Sequence, residues 1–198
     1  MKRITIIIFI STIILGIMLN TLDECFLQYN KRKSISLKLK KFIKTSNEAI
    51  FQAQKKYKVL NNIDEINFLT TYMKPYIKSS KIIKIKNEKG ETEIFLQFQD
   101  DSTMKIKKQN CYIITYDING ANKPNELGRD IFAFILCRKS GTCNVASNQV
   151  RPYYCVPAGT PYPTHEEIMR NCQVDGQSCT ILLQENQWEF PKDYPRRL

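Results

Sequence analysis

The sequence predicts an α+β protein in which a long N-terminal helix packs on a small antiparallel β-sheet. An uncharged apolar run, Ile4–Leu22, is followed by apolar residues every three or four positions without Pro or Gly, the helical period. From about residue 82, apolar and polar residues alternate with period two, the strand period. The predicted organisation is an anchor helix over 1–22, its amphipathic continuation over 23–60, and a head over 61–198 with a disulfide-rich C-terminal part.

The apolar run is the first element. Its 19 residues carry no charge, and at about 1.5 Å per residue they reach about 28 Å, close to the hydrocarbon thickness of a bilayer. The run therefore predicts a single-pass anchor in an inner or cytoplasmic membrane. A cleavable secretory signal is the alternative, because the chain begins Met1-Lys2-Arg3, but the exit MLNTLDEC offers no small-x-small cleavage site. A buried helix of a soluble core fits less well, because the run is apolar on all sides.

The cysteines predict the compartment of the head, because basic residues flank both ends of the run and do not decide its orientation. Cys25 lies at the predicted membrane edge, and the six others follow residue 110. An even number in a strand-and-loop region predicts disulfides in an oxidising compartment, with 15 pairings that the sequence leaves open. The candidates are Cys111, Cys137, Cys143, Cys155, Cys172 and Cys179. A zinc site is the alternative, but the chain has no CxxC pair and one histidine, His165. The head is therefore expected outside the cytoplasm, in the cell envelope.

The elements of the head follow from their periods. The first helix is expected to continue to residue 58, before Asn61-Asn62, and a second helix is expected from Asp64 to Lys78. The predicted strands cover 82–86, 93–99, 103–109, 111–118 and 131–137, with a turn at 100–102. After Cys143 the chain is rich in loops, with a short helix predicted at 165–172 and a final strand at 179–186.

The polar connection between the last two strands of the sheet is the candidate site. Asp117, Asn119, Asn125 and Asp130 offer oxygen ligands within one loop, so a calcium site is one interpretation. It is not an EF-hand, because Gly128 stands at the twelfth position from Asp117, where a bidentate Glu is required. The other interpretation, which we favour, is a set of turns whose Asp and Asn side chains cap backbone amides.

The net charge of +11 arises mostly from lysines spread over residues 31–108. Lysines at scattered spacing are typical of a solvated surface, and this is the interpretation we favour. The alternative is a basic face that binds DNA or another anionic polymer, for which Lys38, Lys41, Lys55 and Lys56 are the candidates.

Catalysis is not predicted, and no small-molecule substrate or catalytic residue is assigned. The sequence has no phosphate-binding Gly-rich loop, no paired-carboxylate signature and no GxSxG. His165 is expected to flank a helix start, and Trp188 is expected to anchor the C-terminus in the core.

Two segments carry a resemblance to a known family. Residues 117–134, DINGANKPNELGRDIFAF, are similar to the DxNGxxxPNxxGxDxFxF pattern of type IV pilin-like proteins. Residues 186–195, NQWEFPKDYP, also resemble the C-terminal sequence of such proteins. The order of parts also resembles that family, which includes the pseudopilins of type II secretion systems. The resemblance implies a non-enzymatic subunit of a pilus or pseudopilus, whose N-terminal helices bundle with those of other pilin-like subunits while the sheet domains lie outside.

The N-terminus departs from this family. Its members begin with a short basic leader, a small residue and a Phe-Thr-Leu-x-Glu-like start that a prepilin peptidase cuts. MKRITIIIFISTIILG has neither that junction nor a glutamate within the apolar run, and the first acidic residues are Asp23 and Glu24. The chain is therefore expected to be a divergent or minor pilin-like protein, or one that remains an anchored monomer; the alternative function is a membrane-anchored surface module whose basic face binds DNA or another anionic polymer.

Overall fold

A long helix and a six-stranded sheet form the framework of the protein. The computed structural model describes residues 24–57, 63–78, 80–87, 89–138, 143, 148–156 and 159–198 in full, and residues 2–23 as helical backbone. The first helix, α1, runs from Lys2 to Tyr57. Its predicted end near Asn61-Asn62 lies outside the described residues.

The α+β prediction is confirmed, and the sheet is an antiparallel meander in which each strand pairs with the next along the chain. The strands are β1 Lys81–Lys86, β2 Thr92–Gln97, β3 Thr103–Lys108, β4 Tyr112–Asp117, β5 Ile131–Leu136 and β6 Val150–Pro152. The five predicted strands are all present within two residues of their expected ends. The sixth, β6, was not predicted, because three residues are too few to show an alternating pattern.

One face of the sheet packs against α1. A row of buried residues crosses four strands in register, because Leu96 pairs with Met104, Met104 with Tyr116, and Tyr116 with Phe132. From the helix side, Phe42 stacks on Tyr116 with ring centroids 4.1 Å apart. The other buried apolar residues of α1 lie on successive turns, and they are Ile35, Leu39, Ala49, Ile50 and Ala53.

The predicted second helix is present but irregular. It begins as α2, Glu65–Phe68, with the Asp64 side chain accepting from the Asn67 amide. It continues as a π-helix, Leu69–Met73, and closes as a 3₁₀ turn, Lys74–Tyr76, which contains Pro75. Proline lacks the amide that an α-helix needs in its interior, so the last turn changes hydrogen-bonding pattern there.

The C-terminal region contains one correction to the sequence-based expectation. The helix predicted at 165–172 is confirmed as α3, His165–Val174. The strand predicted at 179–186 is wrong, because Cys179–Glu185 forms a helix, α4. Thr180, Ile181, Leu182 and Leu183 are all buried, and a short continuous apolar run fits a buried helix as well as a buried strand.

Three disulfides are present, so the prediction of disulfide bonding is confirmed. Each joins cysteines that are close in the chain, and the pairs are Cys111–Cys137, Cys143–Cys155 and Cys172–Cys179. Cys172–Cys179 ties α3 to the start of α4, which holds the apolar run 180–183 as a helix beside the core. Cys25 is free and exposed on α1.

The predicted anchor, Ile4–Leu22, lies outside the residues that are described in full. Among those that are, no helix combines the length and the apolar character needed to cross a bilayer.

Candidate functional site: a polar loop against the N-terminal helix

The loop over residues 118–130 leaves β4 at Asp117 and returns as β5 at Ile131. Its two ends are joined by a hydrogen bond from the Ile118 amide to the Asp130 carbonyl, 2.9 Å. Lys38 of α1 reaches this end of the loop, where its Nζ donates to the Ile118 carbonyl at 2.7 Å. The loop therefore lies between the edge of the sheet and the first helix.

Asp130 organises the loop. Its side chain is 4% exposed, and its two carboxylate oxygens accept from the amides of Asn125, at 2.8 Å, and Glu126, at 2.7 Å. Asn119 Nδ2 donates to the same carboxylate at 3.3 Å. Hydrogen bonds to a charged acceptor are the stronger kind, so this carboxylate fixes the middle of the loop to its end.

Asp117 and Asn125 form a second connection across the loop. Asp117 Oδ1 accepts from the Asn119 amide at 3.0 Å, which is a local Asx turn. The side-chain amide of Asn125 is oriented with its nitrogen inward. This nitrogen donates to Asp117 Oδ2 at 3.2 Å, to the Gly120 carbonyl at 3.3 Å and to the Asn122 carbonyl at 3.0 Å. Asn125 has φ 57°, a left-handed conformation that asparagine tolerates better than most residues.

The surroundings of Asp117 disfavour the charged form of its carboxyl group. Burial, together with the nearby charge of Asp130, raises its pKa from the ordinary value to about 6, although the hydrogen bond from the Asn119 amide lowers it. Asp117 is therefore the group of the loop whose charge changes between mildly acidic and neutral pH.

Two glycines permit the close approaches of the loop. Gly120 has φ 64°, and a Cβ there would lie 2.6 Å from the Asp101 carbonyl oxygen. Gly128 has φ 79°, and a Cβ there would lie 2.4 Å from Cys179 Sγ. Tyr194 donates to the Gly128 carbonyl at 2.6 Å, so the C-terminal tail is fastened to the loop at the same point.

The structure brings the four predicted oxygen-bearing residues together, and their hydrogen bonds are those of the turn interpretation. Both oxygens of Asp130 and one of Asp117 already accept backbone amides. The calcium interpretation stays a prediction that a titration can test. Among the described residues, the one group of three thiol, imidazole or carboxylate side chains close enough to share a metal is Cys111, Cys137 and Cys143, all of which are in disulfides.

A cavity of about 250 Å³ lies between α1 and the loop. Four cationic residues line it, with Lys31 and Lys38 on the helix and Lys123 and Arg129 on the loop, and we call it the cation pocket. The carboxylate of Asp130 and the last residue, Leu198, also line it. No sequence signal pointed to this pocket, because its residues come from segments about 90 positions apart.

The cations of the pocket differ in their partners. Lys38 lies 3.6 Å from the Asp100 carboxylate, and Arg129 lies 3.0 Å from that of Glu126. Within the described part of the chain, neither Lys31 nor Lys123 forms an ion pair. The pocket therefore retains positive charge that the described residues do not neutralise.

Helix α1 has two parts that meet the head differently. From residue 32 to residue 57, which we call the packed segment, it is fastened by polar as well as apolar contacts. Asn47 exchanges two hydrogen bonds with the backbone of Val150, at 3.1 and 2.7 Å, and so covers part of the edge strand β6. Ser36 donates to the Trp188 carbonyl, and Arg32 donates to the Pro191 carbonyl at 3.3 Å.

Residues 24–31 form the exposed segment of the same helix. Three large apolar side chains there face solvent, with Phe26 and Leu27 each 66% exposed and Tyr29 60% exposed. Single exposed apolar residues are ordinary, but three within four positions of one helix form a patch of the kind that binds a partner or a membrane.

Several lysines of the proposed basic face have local partners. Lys38 is bonded to the loop, while Lys55 lies over the Phe51 ring at 4.4 Å and Lys56 over the Tyr57 ring at 5.3 Å. These contacts are compatible with the solvated-surface interpretation, which stays a prediction. Binding of DNA or another anionic polymer stays an untested alternative.

The two remaining residues that the sequence analysis singled out, His165 and Trp188, lie at a helix start and against the core. His165 is the first residue of α3, directly after the N-cap residue Thr164, which forms a capping box with Glu167, and its Nδ1 lies 3.4 Å from Glu185 Oε2. Trp188 is partly buried and stacks on Phe134 at 6.2 Å between ring centroids.

Fold and site together define a class of protein: a disulfide-bonded α+β head carried on a long N-terminal helix, with a polar loop and a cation pocket where the two meet. The chain belongs to a family of unknown function, DUF6613, which it matches over residues 25–198. No curated protein and no solved structure matches it. The matched region covers the exposed and packed segments from Cys25 onward and the whole head.

Proposed function

We propose that the chain is a non-enzymatic, pilin-like subunit that is anchored by Ile4–Leu22 and assembles through α1 with other pilin-like subunits. The assembly is a type IV pilus or a type II secretion pseudopilus in the cell envelope. The observation that carries the proposal is the part of α1 that extends beyond the head and exposes large apolar side chains.

The energetics of this extension support the proposal. Among the residues described in full, the first hydrogen bond from α1 to the head is that of Arg32, and 30 helical residues, from Lys2 to Lys31, precede it. A helix of that length measures about 45 Å at the standard rise. Most helices in proteins derive their stability from packing rather than from propensity, so such a helix requires lipid, partner helices or both.

The head supports the same proposal. A helix that packs on one face of a small antiparallel meander is the arrangement that the pilin-like resemblance implies. Three disulfides agree with an oxidising compartment, and therefore with a head outside the cytoplasm.

Photo-crosslinking of the full-length protein in native membranes tests the proposal. A photoreactive phenylalanine analogue in place of Phe26 should give adducts with a second copy or with another pilin-like subunit. The matched control is the same analogue in place of Tyr162, an aromatic residue of the head that is 57% exposed. We expect the control to give at least about fivefold less protein adduct.

Mass spectrometry of the products decides the outcome. Adducts of Phe26 with lipid alone, together with the mass of an isolated monomer, would contradict assembly through α1. Recovery of the protein in the filament fraction sheared from cells would assign it to a surface pilus, whereas retention of crosslinked oligomers in the membrane fraction would assign it to a short pseudopilus.

A further inference from the structure

We propose that the cation pocket of one copy binds the Glu24 carboxylate of a neighbouring copy, whose α1 runs parallel and is displaced by about 10–20 Å towards the head. This inference rests on the proposed function, since it names the contact that sets the register between assembled subunits. It concerns residues that the resemblance assigns no role.

The first observation is the unmatched charge of the pocket. Lys31 and Lys123 line it without an ion-pair partner among the described residues, and Asp130 is the one acidic side chain among the described lining residues, so the side chains there carry more positive than negative charge. A concave site with surplus positive charge favours an anionic group that can enter it. A volume of about 250 Å³ accommodates one carboxylate with part of its side chain.

The second observation is the distribution of acidic residues along α1. The helix has three, Asp23, Glu24 and Glu48, whereas all seven charged residues between positions 25 and 47 are basic. Glu48 pairs with Lys44 four residues earlier, at 4.0 Å. Glu24 is exposed and forms no ion pair with any residue that the structure describes. Within the described residues, one chain therefore carries an unpaired anion, Glu24, on α1 and two unpaired cations, Lys31 and Lys123, in the cation pocket.

Geometry prevents these two features from meeting within one chain. Glu24 precedes Lys31 by seven residues and Lys38 by fourteen, which at about 1.5 Å per residue correspond to about 10 and 21 Å along the axis. A parallel neighbour displaced by that distance brings its own Glu24 level with the pocket. The contact uses two different surfaces of the subunit, the Glu24 side of the helix and the cation pocket, so the next copy can repeat it. A heterologous interface of this kind generates open assemblies.

The same displacement brings apolar surfaces together. Leu27 of the neighbour lies three residues after its Glu24 and on the same side of the helix, so it approaches the helix of the first copy beside the pocket. Apolar burial provides the larger part of such an interface, and the charge pair fixes its register.

Zero-length crosslinking of the full-length protein in native membranes tests the proposal. A carbodiimide joins a carboxylate to a lysine amine only when the two are in contact. Cells moved from ¹⁵N-labelled to unlabelled medium during expression contain both labelled and unlabelled copies. Crosslinked peptides of mixed isotope composition then identify crosslinks between copies and distinguish them from crosslinks within one copy. We expect mixed-isotope peptides that join Glu24 to Lys31 or Lys123, and we expect them to disappear in Glu24→Gln.

Charge reversal provides the second readout, using the photo-adduct at Phe26 as the measure of assembly. Lys31→Glu should lower the adduct yield about tenfold, and Glu24→Lys in the same chain should restore it to within about twofold. Lys33→Glu is the matched control, because it makes the same charge change on an exposed helix position that does not line the pocket.

The outcomes separate this inference from the proposed function. If the Phe26 adduct forms but no crosslink between copies joins Glu24 to a pocket lysine, the inference is wrong and assembly through α1 stands. If neither product forms, both are wrong. If Glu24→Gln has no effect while millimolar phosphate abolishes the adduct, the pocket binds a free oxyanion instead, which also overturns the inference.

Discussion

The two parts of α1 have similar sequences and opposite surroundings. Both the packed segment and the exposed segment mix basic residues with large apolar ones, yet Phe42 is 3% exposed and Phe26 is 66% exposed. The difference lies in what covers them: the sheet and the C-terminal tail cover the first, and no described residue of the chain covers the second. Amphipathicity thus shows that a helix has a partner, and only tertiary structure shows whether the partner is in the same chain.

The largest expected effect comes from the packed segment. Phe42→Ala removes a ring that stacks on Tyr116 and lies 4.9 Å from Phe134, and we expect a loss of about 3–5 kcal/mol in the free energy of unfolding. Denaturation of the full-length protein in mild detergent measures it. Phe51→Ala is the control on the same helix, where the side chain is 57% exposed. A loss of more than about 1 kcal/mol for Phe51→Ala would contradict the expected difference between covered and exposed positions of α1.

The next effect concerns the loop that the packed segment contacts. Asp130→Asn replaces one acceptor oxygen by a donor that faces a backbone amide, so we expect a loss of about 2 kcal/mol. The measurement is the unfolding free energy at neutral pH in the presence of a chelator. Asp193→Asn, at an exposed position, should change it by less than about 0.5 kcal/mol.

The same measurement tests the calcium interpretation. The turn interpretation predicts that calcium added to the wild-type protein leaves the melting temperature unchanged. A rise that depends on calcium concentration and is lost in Asp130→Asn would support a calcium site instead.

A smaller effect depends on pH. The pKa of Asp117 is about 6 in the folded state and about 3.9 in an unfolded chain, so the folded state binds more protons between these values. Stability is therefore lost as pH rises from about 4 to about 6. Asp117→Asn lacks this loss, so its stability relative to the wild type should rise by about 1 kcal/mol across that window, allowing for the half-exposed position.

A difference between variant and wild type that does not change with pH would show that Asp117 does not titrate in this range. Unfolding measured at several pH values between 4 and 7.5 is sufficient.

The smallest expected effect on stability concerns the exposed segment. Phe26→Ala should change the unfolding free energy of the head by less than about 0.5 kcal/mol, because the ring packs on no described residue of the head. The same substitution should nevertheless lower the yield of oligomers crosslinked in native membranes. A loss of head stability above about 1 kcal/mol would show that the exposed segment packs on the head after all.

Much of the fold could be predicted from local patterns, and the exceptions share a cause. Strands β1 to β4 have apolar residues at alternating positions, and β5 is a short apolar run bounded by turn residues, so these local signals sufficed for the five strands. Residues 179–185 carry a continuous apolar run that has no distinctive period, and the three residues of β6 are too short to have one. In both places the surroundings, not the local sequence, decided the conformation.

The candidate site shows the same limit. The sequence identified the loop and its Asp and Asn residues, because residues that cap turns are recognisable by type and spacing. It could not identify the cation pocket, since Lys31 and Lys123 are brought together only when the loop folds against α1.

The sequence by itself determined the α+β class, the long first helix, five strands, the polar loop and the use of disulfides, since each depends on residue periods or residue types over a short stretch. Only the tertiary structure decided which cysteines pair, which part of α1 is covered, that residues 179–185 are helical, and that four cations share one pocket. The coverage of α1 and the cation pocket depend on contacts between segments far apart in the chain. The cysteine pairing and the helix at 179–185 depend on how nearby segments pack together, which no residue period shows.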